Sequence, residues 1–123
     1  MVCRLKKSLY GLKQAPRQWY RKFDGFMQQN GYERCSSDHC CYFKRYESSY
    51  IILLLYVDDM LVEGPCLQEI NKLKQQLAKE FAMKDLGAAK QIIGMRISRY
   101  MTQHTLKLSQ AEYIERVLQR FNM

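Results

Sequence analysis

Several things are scarce in this chain, and each shortage excludes something. Two prolines and six glycines in 123 residues are too few for a collagenous or linker-like polypeptide. No repeat or low-complexity stretch interrupts it. The apolar run at 51–57 is far too short to span a bilayer, and the N-terminus shows no cleavable signal pattern. The five cysteines, Cys3, Cys35, Cys40, Cys41 and Cys66, are odd in number and contain no C-x-x-C pair. Neither a disulfide framework nor a zinc module is indicated. Asp38-His39-Cys40-Cys41 beside Cys35 could be drawn as a soft-metal site, but neighbours along a strand point to opposite faces. Free thiols in a reducing compartment, the cytoplasm or alternatively the nucleus, are the expectation.

Acid is scarce too. Asp and Glu number 12 against 20 Lys and Arg, giving a net charge of +8 and a pI near 9.3. That balance favours polyanionic partners, nucleic acid first, although many basic proteins bind none. At this length the chain holds at most one domain with a modest core.

What is present reads as an α+β pattern. Val2-Cys3-Arg4-Leu5 suggests a short strand and Gly11 a loop. Pro16 suits the first position of a helix near 16–30, with Trp19, Phe23, Phe26 and Met27 at helical spacing and Gly31 at its end. Residues 40–46 and 49–56 read as two strands joined by a polar turn. A second helix near 66–81 places Leu67, Ile70, Leu73, Leu77 and Phe81 on one face. Lys90 to Arg99 reads as one strand, and 105–108 can return against it. Ser109-Gln-Ala-Glu112 has the form of a capping box for a third helix near 109–121, with Leu108 and Tyr113 as its hydrophobic staple. Tyr113, Ile114, Val117, Leu118 and Phe121 form the apolar face of that helix.

The most informative segment is Ile51-Ile-Leu-Leu-Leu-Tyr-Val-Asp-Asp-Met60. An apolar strand ends at two adjacent carboxylates, Asp58 and Asp59, and a second apolar stretch returns to Gly64-Pro65. Apolar runs demand burial while paired acids resist it, so a hairpin with the acids at its tip satisfies both. Asp is also common in ordinary turns. Two like charges so close raise each other's pKa unless a cation screens them, and hard divalent ions such as Mg²⁺ are suitable partners.

Five segments together narrow the reading. Ser8-Leu-Tyr-Gly-Leu-Lys-Gln-Ala-Pro-Arg-Gln-Trp-Tyr20, Tyr56-Val-Asp-Asp-Met60, Phe81-Ala-Met-Lys-Asp-Leu-Gly87, Ile92-Ile-Gly-Met-Arg-Ile97 and Leu106-Lys-Leu-Ser-Gln-Ala-Glu-Tyr-Ile-Glu-Arg-Val-Leu118 resemble, in order and spacing, motifs of the Ty1/copia retrotransposon reverse transcriptases. Within that group the likeness is to plant elements of the tobacco Tnt1 type. The resemblance implies a partial reverse-transcriptase palm, an antiparallel sheet with packed helices over about 1–100, and the start of the thumb over about 101–123. The implied activity is RNA-directed DNA polymerisation, a nucleotidyl transfer using two Mg²⁺ ions, deoxynucleoside triphosphates and an RNA or DNA primer–template. The remaining segments of a Pol polyprotein are the implied partners, and no membrane is.

The resemblance also assigns roles. Asp58 and Asp59 are the candidate catalytic and metal-binding acids. Tyr10, Gly11, Lys13, Tyr56 and Val57 are candidates for contact with nucleotide or template, and Gln14 and Arg17 are their neighbours. Gly94 and Met95 correspond to the primer grip, and Lys84 is a candidate proton donor to pyrophosphate. The family draws a further catalytic Asp, and its fingers, from upstream of the Ser8 segment, where residues 1–7 contain no acid. The expectation is therefore a polymerase portion inactive on its own. The alternatives are a non-catalytic basic module that binds nucleic acid, or a remnant without a biochemical role. Glu63 departs from the apolar residue common at its place, and is expected to reach solvent at the strand end. Exposed apolar surface is expected where faces lack their family partners.

Overall fold

The computed structural model describes residues 6–7, 9–57 and 59–123. The expected strand at 2–5, and Asp58 itself, lie outside them. Contacts divide the chain into two units, one ending at Leu77 and the other running from Ala78.

The first unit is built on helix α1 (Ala15–Gln29), the antiparallel strands β1 (Glu33–Arg34), β2 (Cys41–Arg45), β3 (Tyr50–Tyr56) and β4 (Asp59–Glu63), and most of helix α2 (Leu67–Phe81). The strands lie in sequence order in one sheet. Pro16 occupies the second helical position rather than the first, Ala15 preceding it. The end of α1 is a Schellman motif: the Gly31 N–H donates to Gln28 and the Tyr32 N–H to Met27, both at 3.0 Å. Gly31 has φ +78°, a conformation that glycine adopts at no steric cost.

Burial along β3 alternates. Ile51, Leu53 and Leu55 are buried, while Tyr50, Ile52 and Tyr56 remain exposed. The buried face meets α1. Phe23 stacks on Trp19 and meets Tyr42 of β2 edge-on with ring centroids 5.6 Å apart. The aromatic stripe of α1 is therefore core. Tyr42, opposite Leu53, donates to the Asp24 carboxylate at 2.9 Å, so its hydroxyl is paired despite burial. Tyr20 donates to the His39 carbonyl and accepts from Arg34, which fastens the loop between β1 and β2 to α1. Ile70, Leu73 and Leu77 of α2 are also buried. Leu67, expected on that face, is exposed.

Strand β1 had no signal in the sequence: two residues show no periodicity, and the strand exists through its pairing with β2. Gly64 follows β4 where a Cβ would come 2.5 Å from the Tyr50 carbonyl oxygen. Glycine there lets the returning chain pass close to the start of β3. Glu63 is exposed, as expected.

The second unit contains β5 (Gln91–Ile92), β6 (Met95–Tyr100), β7 (Thr105–Ser109) and helix α3 (Ala111–Arg120). The single strand expected over 90–99 is instead a small hairpin. Ile92 pairs with Met95, and Ile93 and Gly94 turn between them at φ 51° and 73°. Two residues of positive φ make the tight turn whose twist suits a hairpin. A second turn, Met101–Gln103 followed by left-handed His104, returns the chain into β7.

The expected capping box does not form. Ser109 is the last residue of β7 and Gln110 is the cap of α3, without a side-chain cap bond. The Ser109 hydroxyl accepts from the Ala111 N–H, and Glu112 is ion-paired with Arg96 of β6. The neighbouring strand has taken the carboxylate that the cap required. The staple residues Leu108 and Tyr113 stay about half exposed. No residue of α3 is buried, so its apolar face forms the exposed apolar surface expected above.

Candidate active site

The candidate catalytic hairpin is positioned by β3 and β4. Five consecutive cross-strand pairs run from Ile52 opposite Glu63 to Tyr56 opposite Asp59. Strand β3 is also paired along β2 on its other side, and its core residues anchor it to the helical face. Only two residues, 57 and 58, connect Tyr56 to Asp59. Val57 has φ 52°, an uncommon conformation for a β-branched side chain. A two-residue hairpin turn demands positive φ at its first position, so the tight tip imposes that cost.

Directly opposed residues share a face. Asp59 and Tyr56 therefore lie on the face that α1 leaves open, with Ile52, Leu54, Phe43 and Leu61. Asp59 is exposed, Tyr56 is 44% exposed and Val57 77%. The open tip leaves the Asp59 oxygens free to accept from solvent or a hard cation. Among the described residues no group of three acidic, histidine or cysteine ligands forms a ready metal cage. Asp58, the stronger metal-ligand candidate, lies outside the described residues.

The other sequence candidates fall elsewhere. Tyr10, Gly11 and Lys13 lie in and beside a turn closed by the Leu12 N–H donating to Leu9. Gly11 sits at φ +89° with nothing within 4 Å of a hypothetical Cβ. The backbone conformation, rather than crowding within the chain, is what calls for glycine there. Tyr10 is 98% exposed, and Lys13, Gln14 and Arg17 are exposed on the turn and the start of α1. In the second unit, Gly94 is at the tip of the β5–β6 hairpin and Met95 starts β6. Lys84 is exposed in the irregular segment after α2. Among the described residues, no helix is long and apolar enough to cross a membrane.

Compared with known proteins, the chain is matched over residues 1–123 by the family model for reverse transcriptase (RNA-dependent DNA polymerase). The chain belongs to the reverse transcriptase family. The reverse transcriptase chain is 63% identical over 124 residues to the retrovirus-related Pol polyprotein from transposon TNT 1-94 of Nicotiana tabacum, covering 100% of this chain and 9% of that protein. It is 35% identical over 122 residues to the Pol polyprotein from transposon RE1 of Arabidopsis thaliana, covering 99% and 8%. It is 28% identical over 130 residues to the transposon Ty1-DR1 Gag-Pol polyprotein of Saccharomyces cerevisiae, covering 99% and 7%. These relatives place it with the Ty1/copia type, and it spans under a tenth of the length of each. No solved structure matches it.

Two features of this reverse transcriptase segment escaped the sequence reading: strand β1 and the tyrosine network beneath the sheet. Tyr32, Tyr46 and Glu69 of α2 lie close enough together for both tyrosines' titration to be shifted. Burial, first, and then Tyr46 hold the Tyr32 hydroxyl above the ordinary tyrosine range; burial, first, raises that of Tyr46 against a lowering by Tyr32, and Glu69 adds to the rise. Burial and the bonds to Tyr20 and Asp24 do the same for Tyr42. Tyrosines in and beside the strands were the available signal, but which hydroxyls would be paired depends on the tertiary fold.

Proposed function

We propose that this chain supplies the Tyr56-Val57-Asp58-Asp59 tip of the polymerase centre of an RNA-directed DNA polymerase. The observation that carries the reading is the tight hairpin holding Asp59 on the open face of a sheet whose other face is anchored to α1. Rigid support of this kind suits acids that must stay fixed through a phosphoryl transfer. Asp58 and Asp59 would hold Mg²⁺, whose donor preference, exposed carboxylate oxygen, Asp59 meets. When bound, Mg²⁺ neutralises charge on the reacting phosphates. The chain's own residues then do the positioning. Tyr56 and Val57 flank the primer end and the nascent pair. The Tyr10–Lys13 turn contacts nucleotide or template, and the Gly94–Met95 hairpin grips the primer. Lys84 stands as proton donor to pyrophosphate. In this reading about residues 1–100 are palm and about residues 101–123 are the start of the thumb. A primer–template, deoxynucleoside triphosphates and the rest of a Pol polyprotein complete the machine in a reducing compartment.

The test is an exchange. Residues 1–123 replace the matching segment of an active Ty1/copia-type reverse transcriptase, and RNA-templated primer extension is measured. Extension that disappears with Asp58→Asn supports the reading. A soluble, folded chimera without extension, or one indifferent to Asp58→Asn, contradicts it.

A further inference from the structure

Arg34 of β1 pairs with Tyr42 of β2, so the next pair along is Cys35 opposite Cys41. The Cys35 N–H donates to the Cys41 carbonyl at 2.8 Å. Opposed residues of an antiparallel pair share a face, with Cα atoms about 4.5–5.5 Å apart. That separation falls within the roughly 4.4–6.8 Å that a disulfide bridges. Arg34 and Tyr42 turn towards α1, where they meet Tyr20 and Asp24. Alternation sends Cys35 and Cys41 to the opposite, open face. Cys41 lies there across from Leu54, two residues before Tyr56 on β3.

The loop between the two cysteines is fixed. The Cys41 N–H donates to the Asp38 carbonyl at 3.0 Å, and the Cys40 N–H to the Asp38 carboxylate at 2.9 Å. Both opposed thiols are free and half-buried, whereas Cys40 is exposed. Their environments also differ. Backbone N–H groups of Asp38 and then Ser37 hold the Cys35 thiol below its usual range. Burial, and then the nearness of Cys35, push Cys41 up. Cys35 is therefore the thiol more readily ionised, which is the attacking form.

We propose that Cys35 and Cys41 are a thiol–disulfide exchange site on the open face of the sheet, oxidised by a low-molecular-weight disulfide. The Cys35 thiolate attacks one sulfur of that disulfide, forming a mixed disulfide and releasing one small thiolate. The Cys41 thiol then loses its proton to solvent, attacks the Cys35 sulfur and releases the second small thiolate. Two protein thiols are oxidised and one small disulfide is reduced to two thiols. The product ties β1 to β2 at the sheet end nearest the catalytic tip.

Cys40 provides an internal control, since it is one residue nearer to Cys35. In an unfolded chain the fold's preference for Cys41 is gone, and the two loops differ by a single residue. The experiment uses the full chain with Cys3→Ser and Cys66→Ser, treated with oxidised glutathione. Cleavage before Asp38 and fragment mass spectrometry then assign the partner of Cys35. In the folded chain, Cys35–Cys41 should exceed Cys35–Cys40 by at least about tenfold, falling to near parity in concentrated urea. Adding Cys40→Ser should leave the disulfide intact, while Cys41→Ser should leave glutathione on Cys35. Equal partition in the folded chain, or glutathione adducts alone on unmutated Cys35 and Cys41, would overturn the proposal. Far-UV circular dichroism of each variant shows whether it is folded, and the parent chain supplies the partition ratio whether or not they are.

Discussion

Tyr56 and Asp59 face each other as the last pair of the β3–β4 ladder, with Val57 turning between them at φ 52°. The pair puts a carboxylate and a phenol side by side on the open face, at the end of a strand whose alternate residues are buried. Strand, turn and acid are one mechanical unit, and changes anywhere in it should be felt at the tip.

Val57→Asn should stabilise the chain. A β-branched residue in the left-handed region is strained, whereas Asn is enriched there. Val57 is largely exposed, so little burial is lost. A gain of about 0.5–1 kcal/mol is expected, read from the urea midpoint at unchanged slope. A loss of stability would mean that the left-handed turn is not the native geometry.

Gly64→Ala should have the opposite effect. The added methyl would meet the Tyr50 carbonyl oxygen at 2.5 Å, backbone that cannot rotate away. A cost of about 1–3 kcal/mol is expected, as for other overpacked sites. Gly11→Ala meets no atom, so any cost there should come from φ alone. A Gly64→Ala chain as stable as wild type would contradict the close approach.

Alkali should unfold the protein through three tyrosines withdrawn wholly or partly from solvent. Tyr32, Tyr42 and Tyr46 are all raised above the ordinary value of 10.0, burial being the first cause. Below pH 10 both folded and unfolded chains keep these protons. Above it the unfolded chain releases them first, so stability falls as pH rises towards the folded values. Tyr42→Phe should flatten part of that decline. It should also cost about 1–3 kcal/mol at pH 7 by removing one donor to the Asp24 carboxylate, which keeps Gln28 and Arg34. Chemical denaturation from pH 7 to 11 checks both effects, and an unchanged alkaline slope in Tyr42→Phe would count against the buried pairing.

Nucleic-acid binding should follow charge. With 20 basic residues against 12 acidic ones, the chain is expected to bind primer–template duplexes weakly and with little sequence preference. Affinity should fall at least about tenfold between roughly 50 and 200 mM salt. Fluorescence anisotropy measures this. Salt-insensitive binding, or none at low salt, would favour a chain without a nucleic-acid role.

Much of the fold was legible because burial writes strong patterns. Helix α1 announced itself through its aromatic stripe, β3 through its apolar run, and the hairpin through the clash between that run and two acids. What escaped was decided between elements. β1 exists through pairing with β2 and has no pattern of its own. The strand expected at 90–99 breaks because Ile93 accepts a left-handed turn beside Gly94, and β-branched residues give no warning of that. The capping box failed because Arg96, distant in sequence, claims Glu112. Around the candidate site, Asp59 and Tyr56 share a hairpin as the apolar pattern required. The roles of Tyr10, Lys13, Lys84 and Gly94 came from resemblance, because an exposed turn reads alike whether or not it touches a nucleotide.

The most direct test of the account is whether the hairpin tip binds a divalent cation. Mn²⁺ can stand in for Mg²⁺, and its paramagnetism broadens amide signals nearby. In a ¹⁵N-labelled chain titrated with Mn²⁺, broadening should begin at residues 56–60 and should disappear in the Asp58→Asn, Asp59→Asn double variant. Excess Mg²⁺ should compete it away. Broadening that starts elsewhere, for example around Asp38 and His39, or that persists in the double variant, would contradict the assignment of the tip as the metal-binding centre.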